Sequence, residues 1–127
     1  MDGATWIDQA GNRLLLLRRG LGLSVWQMND AEGRRSCIVE LTVQQRLEVY
    51  GYLDLVGVGV LRTWADWDGD ELRVLRRKQG VMVAVYSTTV DDGPLAPVEL
   101  DEEQTRGLRE YLATELRELL RGVETDG

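Results

Sequence analysis

The chain has 127 residues, 43% of them hydrophobic, with no histidine, one cysteine and a formal net charge of −7. That length fits one compact domain, 1–127, and the acidic balance argues against a protein that coats nucleic acid by bulk electrostatics. Cys37 alone excludes an internal disulfide and suits a reducing cytoplasm; no apolar run reaches the roughly twenty residues of a membrane span, and Met1-Asp2-Gly3 lacks the basic patch that opens a signal peptide.

In chain order, a short strand is expected at 5–10, followed by a tight turn at Gly11-Asn12. A second strand is expected at 13–19, a turn at 20–22 and a third strand at 23–28. A polar loop at 29–33 leads to a fourth strand at 36–41. Thr42 then opens a helix with a capping box: its side-chain oxygen meets the backbone of Gln45, and the Gln45 side chain reaches back. Residues 56–61 form a link, and beyond it the order repeats. A strand begins at Thr63, Asp68-Gly69-Asp70 makes a hairpin turn, and strands are expected at 72–78, 81–86 and 96–100, the last two separated by a loop at 88–94. Asp101 and Gln104 open a second helix with the same capping device. Leu108, Tyr111, Leu112, Leu116, Leu119 and Leu120 keep helical spacing along it.

The repetition extends to individual letters. Thr5-Trp6-Ile7-Asp8 returns 58 residues later as Thr63-Trp64-Ala65-Asp66, and Leu17-Arg18-Arg19 returns as Leu75-Arg76-Arg77. After one extra residue in the second loop, Glu40-Leu41, Gln45 and Tyr52-Leu53 return as Glu99-Leu100, Gln104 and Tyr111-Leu112. Two units of about 60 residues are therefore expected, the first near 5–57 and the second near 63–121, with an acidic tail at 122–127. Each would be marginal alone, so a shared core is expected. The expected class is α+β: a tandem repeat of two β-β-β-β-α units forming one module, with antiparallel sheets and both helices on one face.

A four-strand-then-helix unit whose helix opens as Val98-Glu-Leu-Asp-Glu-Glu-Gln104 resembles the superfamily of PUR repeats, Whirly proteins and the eukaryotic single-stranded-DNA-binding coactivator. The tandem arrangement is most similar to PUR repeats, over roughly residues 5–120. The resemblance implies a sheet that binds single-stranded DNA or RNA through basic and aromatic side chains.

Strand alternation suggests which side chains would do so. Leu23, Val25, Val81 and Val83 mark the core face of the third strands, leaving Trp26 and Tyr86 on the other. Arg13, Leu15, Leu17 and Arg19 share one face of the second strand, matched by Glu71, Arg73, Leu75 and Arg77. The candidate nucleic-acid platform is thus Trp6, Arg19, Trp26, Trp64, Arg73, Arg77 and Tyr86, with bases stacking on rings and guanidinium groups meeting phosphates. Two other readings stand beside it. The tryptophans fill the core or the seam between units, and the arginine pairs guard strand edges. Asp8 and Asp66 would repel phosphate on that face, and capping of the adjacent turn is the alternative.

Catalysis has little to work with. There is no histidine to act as base or ligand. Cys37 reads as a buried small hydrophobe. Asp66, Asp68 and Asp70 alternate as in a cation loop but lack its closing Glu, so a hairpin turn explains them better. No cofactor, metal or enzymatic activity is expected. The leading reading is a single-stranded nucleic-acid-binding protein. The alternative is an acidic protein-interaction module that docks a basic partner through the second helix, where residues 99–127 hold nine acids against four arginines. Exposed edge strands leave a homodimer open.

Overall fold

The computed structural model describes residues 3–29, 35–54, 59–87 and 96–125. The expected loops at 29–33 and 88–94, the link at 56–61 and the tail at 122–127 lie wholly or partly outside them. Alternating apolar residues and glycine turns produce a first meander of four strands, β1 (Gly3–Ile7), β2 (Asn12–Arg19), β3 (Gly22–Asn29) and β4 (Arg35–Leu41). Helix α1 (Val43–Leu53) comes next. A second meander comprises β5 (Arg62–Ala65), β6 (Glu71–Arg77), β7 (Gly80–Tyr86) and β8 (Val98–Leu100), and helix α2 (Glu102–Thr125) closes the chain. The class is α+β, with two antiparallel four-stranded sheets ordered β1-β2-β3-β4 and β5-β6-β7-β8. No described helix is long and apolar enough to cross a membrane.

The turns are made by matched chemistry. Gly11 and Gly69 sit at φ of 87° and 85°, in the left-handed region that a tight hairpin requires and that glycine enters without a Cβ clash. Asp8 Oδ1 accepts the amides of Ala10 and Asn12 at 3.0 and 2.9 Å, and Asp66 Oδ1 accepts those of Asp68 and Asp70 at 2.9 and 3.0 Å. Both aspartates thus cap their own turns. Both helices open with the capping box read from the sequence. Gln45 Oε1 accepts the Thr42 amide at 2.9 Å and Thr42 Oγ1 accepts that of Gln45 at 3.1 Å. Gln104 Oε1 accepts the Asp101 amide at 3.1 Å and Asp101 Oδ1 accepts that of Gln104 at 2.8 Å.

One core lies between the inner faces of the sheets and the two helices. Leu14, Leu16, Leu23, Val25, Val39 and Leu41 enter it from the first sheet, and Leu72, Val74, Val81, Val83, Val98 and Leu100 from the second. Helix α1 contributes Val49 and Leu53, and α2 contributes Leu108 and Leu112. Cys37 is buried among them, as expected. The helices pack on each other, and α2 also packs on β7 and β8.

Candidate interaction surfaces and the seam between the halves

The two halves hold each other by contacts made twice, at matched positions. Asp8 Oδ2 accepts the Glu99 amide of β8 at 2.9 Å; Asp66 Oδ2 accepts the Glu40 amide of β4 at 3.2 Å. Beyond its capping bonds, the Gln104 side chain donates to the carbonyl of Ile7 at 2.8 Å, and Gln45 donates to that of Ala65 at 2.7 Å. Each helix start is thereby tied to the end of the other half's first strand. Asp8 is buried and its carboxyl titrates below the ordinary value. Burial pushes it upward, but hydrogen bonds from the Glu99 and Asn12 amides, the Asn12 side chain and the Ala10 amide together outweigh that.

The matched tryptophans belong to this seam. Trp6 pairs in register with Leu14 and Trp64 with Leu72, and neighbours across a ladder share a face. Leu14 and Leu72 lie in the core, so both indoles point inward. Trp6 meets Tyr111 of α2 edge-to-face with centroids 6.1 Å apart, and Trp64 meets Tyr52 of α1 in the same geometry at 6.1 Å. The Trp64 indole donates to Glu48 Oε1 at 3.0 Å. At the equivalent place under Trp6 stands Gly107, where a Cβ would lie 3.2 Å from the indole nitrogen. Trp64 is buried and Trp6 partly buried against the core, so both rings lie on the helix side of their sheets and away from the outer faces. Packing against the helices removes much of these large apolar rings from water, which favours the inward placement.

The remaining five candidates divide between two outer faces. Arg19 and Trp26 lie on the outer face of β1–β4, with Trp26 half-buried between Leu15 and Ile38. Arg19 is exposed, and its guanidinium has no partner among the described residues. Arg73, Arg77 and Tyr86 lie on the outer face of β5–β8. There the Arg73 guanidinium stands 4.5 Å over the Tyr86 ring and bonds Glu71 at 2.8 Å, while Arg77 bonds Glu99 at 3.0 Å. The seven residues do not converge on one surface.

The two outer faces differ in kind. Glu71, Arg73, Arg77 and Glu99 give the second face charges of both signs, paired with each other. Leu15, Leu17, Trp26, Met28 and Ile38 give the first a half-buried apolar centre, extended by Ile7, which is 51% exposed. Ser24 is buried even on this side, because Glu40 covers it and accepts its hydroxyl at 2.8 and 2.9 Å.

Sequence reasoning passed over three features. Arg46 of α1 is fully buried; it donates to the carbonyls of Leu21 and Thr42 and lies 3.9 Å from Glu115 of α2. Arg18 reaches Glu115 at 3.6 Å and Glu118 at 2.5 Å. Burial pushes the Glu115 carboxyl up, and this outweighs the opposing pull of Arg18, Tyr111 and Arg46. Burial likewise holds Arg46 below the ordinary guanidinium value. Glu115 of α2 is therefore taken up inside the fold and the exposed Glu118 is paired with Arg18, which thins the acidic docking surface expected there. The second feature is Gln27, fully buried, which joins the central strands of both sheets. The third is Trp67 in the β5–β6 turn, 98% exposed. Comparing the copies hid Trp67, because its counterpart is Gln9 and only matched residues stood out.

Asp66, Asp68 and Asp70 bring one carboxylate oxygen each within 4.8 Å of one another. The turn accounts for this: Asp66 is held by two backbone amides, and Asp70 accepts the Ser87 hydroxyl at 3.0 Å.

The chain matches no protein-family model, no curated protein and no solved structure.

Proposed function

We propose that this chain is a protein-interaction module built as a tandem of two ββββα units in the PUR/Whirly-like manner, acting by binding rather than by chemistry. One observation carries the reading: the apolar outer face of β1–β4. An antiparallel sheet with a solvated face ordinarily alternates apolar-in with polar-out, and β6 and β7 come closer to that rule. Leu15, Leu17, Trp26, Met28 and Ile38 break it in one place, and contiguous apolar surface of this sort marks a contact site. The occupant is the apolar surface of another protein. A second copy is disfavoured because each chain carries a net charge of −7. The buried single cysteine suits a reducing cytoplasmic setting. Binding of single-stranded DNA or RNA is the competing function. It loses support because the aromatic and basic candidates lie in three places and two of the arginines already hold carboxylates.

The test compares tagged wild type with the double variant Leu17→Lys/Ile38→Lys, purified from the producing cell. A protein that co-elutes in fixed ratio with wild type and not with the variant is the expected result. Light scattering of wild type alone reads out self-association. Anisotropy titration of labelled oligonucleotides about 15 nucleotides long at low salt reads out the competing function. Micromolar oligonucleotide binding that disappears in Arg19→Glu/Arg77→Glu would restore it and overturn the protein-partner reading.

A further inference from the structure

The halves build the same cleft twice and dress it differently. Each cleft lies at the seam, between a β4–α1 or β8–α2 junction and the end of the other half's first strand. The first has a volume of about 670 Å³ and is lined by Leu21, Glu40, Gln45, Asp66 and Trp67, among others. The second, about 680 Å³, has Gln79, Glu99, Gln104, Asp8 and Gln9 at the matched positions. In the second cleft the lining also holds Arg77, which neutralises Glu99 at 3.0 Å. No cation lines the first, and its matched arginine, Arg19, makes no ion pair with Glu40 among the described residues. Asp66 is committed to backbone amides on both oxygens. Glu40 is exposed and, among the described residues, receives only the Ser24 hydroxyl, which leaves carboxylate lone pairs facing outward.

Beside this carboxylate stand two apolar side chains in water: Leu21, 77% exposed, and Trp67, 98% exposed. Elsewhere in the molecule arginines stack on four other rings. Arg62 lies 5.8 and 5.7 Å from the Tyr52 and Trp64 centroids, Arg73 lies 4.5 Å from Tyr86, and Arg109 lies 4.6 Å from Tyr50. Trp67 holds no arginine among the described residues, although indole is the best ring for a cation.

We propose that the Glu40–Trp67 cleft takes an arginine-bearing apolar segment of a partner protein. The guanidinium stacks on the Trp67 indole and pairs with Glu40, and a flanking aliphatic side chain covers Leu21. The planar guanidinium suits both contacts at once, stacking by its face and donating by its edge. Phosphate-bearing ligands are rejected by Glu40 and Asp66. Glu40 borders the outer face of β1–β4, but Leu21 and Trp67 lie outside that face's apolar centre, and the titration separates the two sites.

Four tryptophans in three settings make the test internal. Trp26 reports the outer sheet face, Trp6 and Trp64 report the seam, and Trp67 reports the cleft. Indole N–H resonances of ¹⁵N-labelled full chain are followed during titration with the peptide Ac-Leu-Arg-Leu-NH₂ and its glutamine analogue Ac-Leu-Gln-Leu-NH₂. The expected result is a saturable shift at Trp67 with the arginine peptide, with Trp26 unmoved and at least about tenfold weaker binding of the glutamine analogue, roughly the worth of one charged, stacked contact. Glu40→Gln is expected to weaken the arginine peptide by a similar factor, and its Trp6 and Trp64 resonances report that the seam is intact. Trp67→Ala removes that reporter, so its binding is read by anisotropy of the fluorophore-labelled arginine peptide, and loss of binding there supports the same assignment. No saturable shift at Trp67, equal binding of the two peptides, or a shift confined to Trp26 overturns the proposal.

Discussion

Gln27 of β3 and Val85 of β7 occupy the same position in the two halves, 58 residues apart, and they touch: Gln27 Oε1 accepts the Val85 amide at 2.7 Å. Strand β8 pairs with β7 only over Val81–Val83, so the Val85 amide has no strand partner on that side. The Gln27 amide group fills the gap, accepting from Val85 and donating to the carbonyl of Ala96. In the first half β4 is long enough to pair this stretch of β3, with Gln27 opposite Cys37. One half thus supplies a side chain where the other lacks strand.

Replacing Gln27 by Leu keeps the volume and strands the buried Val85 amide and the partly buried Ala96 carbonyl. The expected cost is about 1–3 kcal/mol, the usual penalty for an unsatisfied buried polar group. It is read as a lower urea midpoint with unchanged slope, together with faster amide exchange at Val85. An unchanged midpoint would show that the gap is filled some other way.

Asp8 gives a pH signature. Its folded carboxyl lies below the ordinary value, so its contribution is complete above the unfolded pKa of about 3.9 and is lost as pH falls through the lower folded value. Asp8→Asn is expected to unfold more easily than wild type at pH 7, with the difference closing below about pH 4. Urea melts at stepped pH measure it, and a gap that stays constant into strong acid contradicts the assignment.

Glu115 has the opposite sign. Burial raises its folded carboxyl, so the folded state binds its proton more tightly than the unfolded chain, and this group adds stability as pH falls through the raised value toward about 4.3. Glu115→Gln is expected to remove that rise from the stability profile between neutral pH and about pH 4. A variant profile parallel to wild type throughout rules it out.

Two tryptophans should behave oppositely. Trp64 is 5% exposed and bonded to Glu48, so Trp64→Ala is expected to cost about 3–5 kcal/mol. Trp67 is 98% exposed, and Trp67→Ala is expected to stay within about 0.5 kcal/mol of wild type. Equal losses in thermal or urea melts would contradict the placement of one of them.

What was legible beforehand is local. The hairpin turns at Gly11 and Gly69, the capping boxes at Thr42 and Asp101, and the inward set Leu14, Leu16, Leu72 and Val74 each depend on residues a few positions apart. The strand order within each half was legible too, since meanders join neighbours by short turns. Boundaries moved by two to three residues at β1, because Asp8 leaves the ladder to cap its turn.

The sequence by itself determined two sheets, two helices and the core faces of the central strands, because period-two alternation and capping are enforced by neighbouring backbone. Only the tertiary structure decided the fate of the matched residues. Trp6, Asp8 and Gln104, like Trp64, Asp66 and Gln45, find their partners in the opposite half, twelve or more residues away and often more than ninety. Likeness between copies reports that a residue is needed in both places. It does not report whether water, a ligand or the other copy is what it meets. That depends on which face of β1 and β5 turns toward the opposite helix, and a single-residue change of register reverses that face.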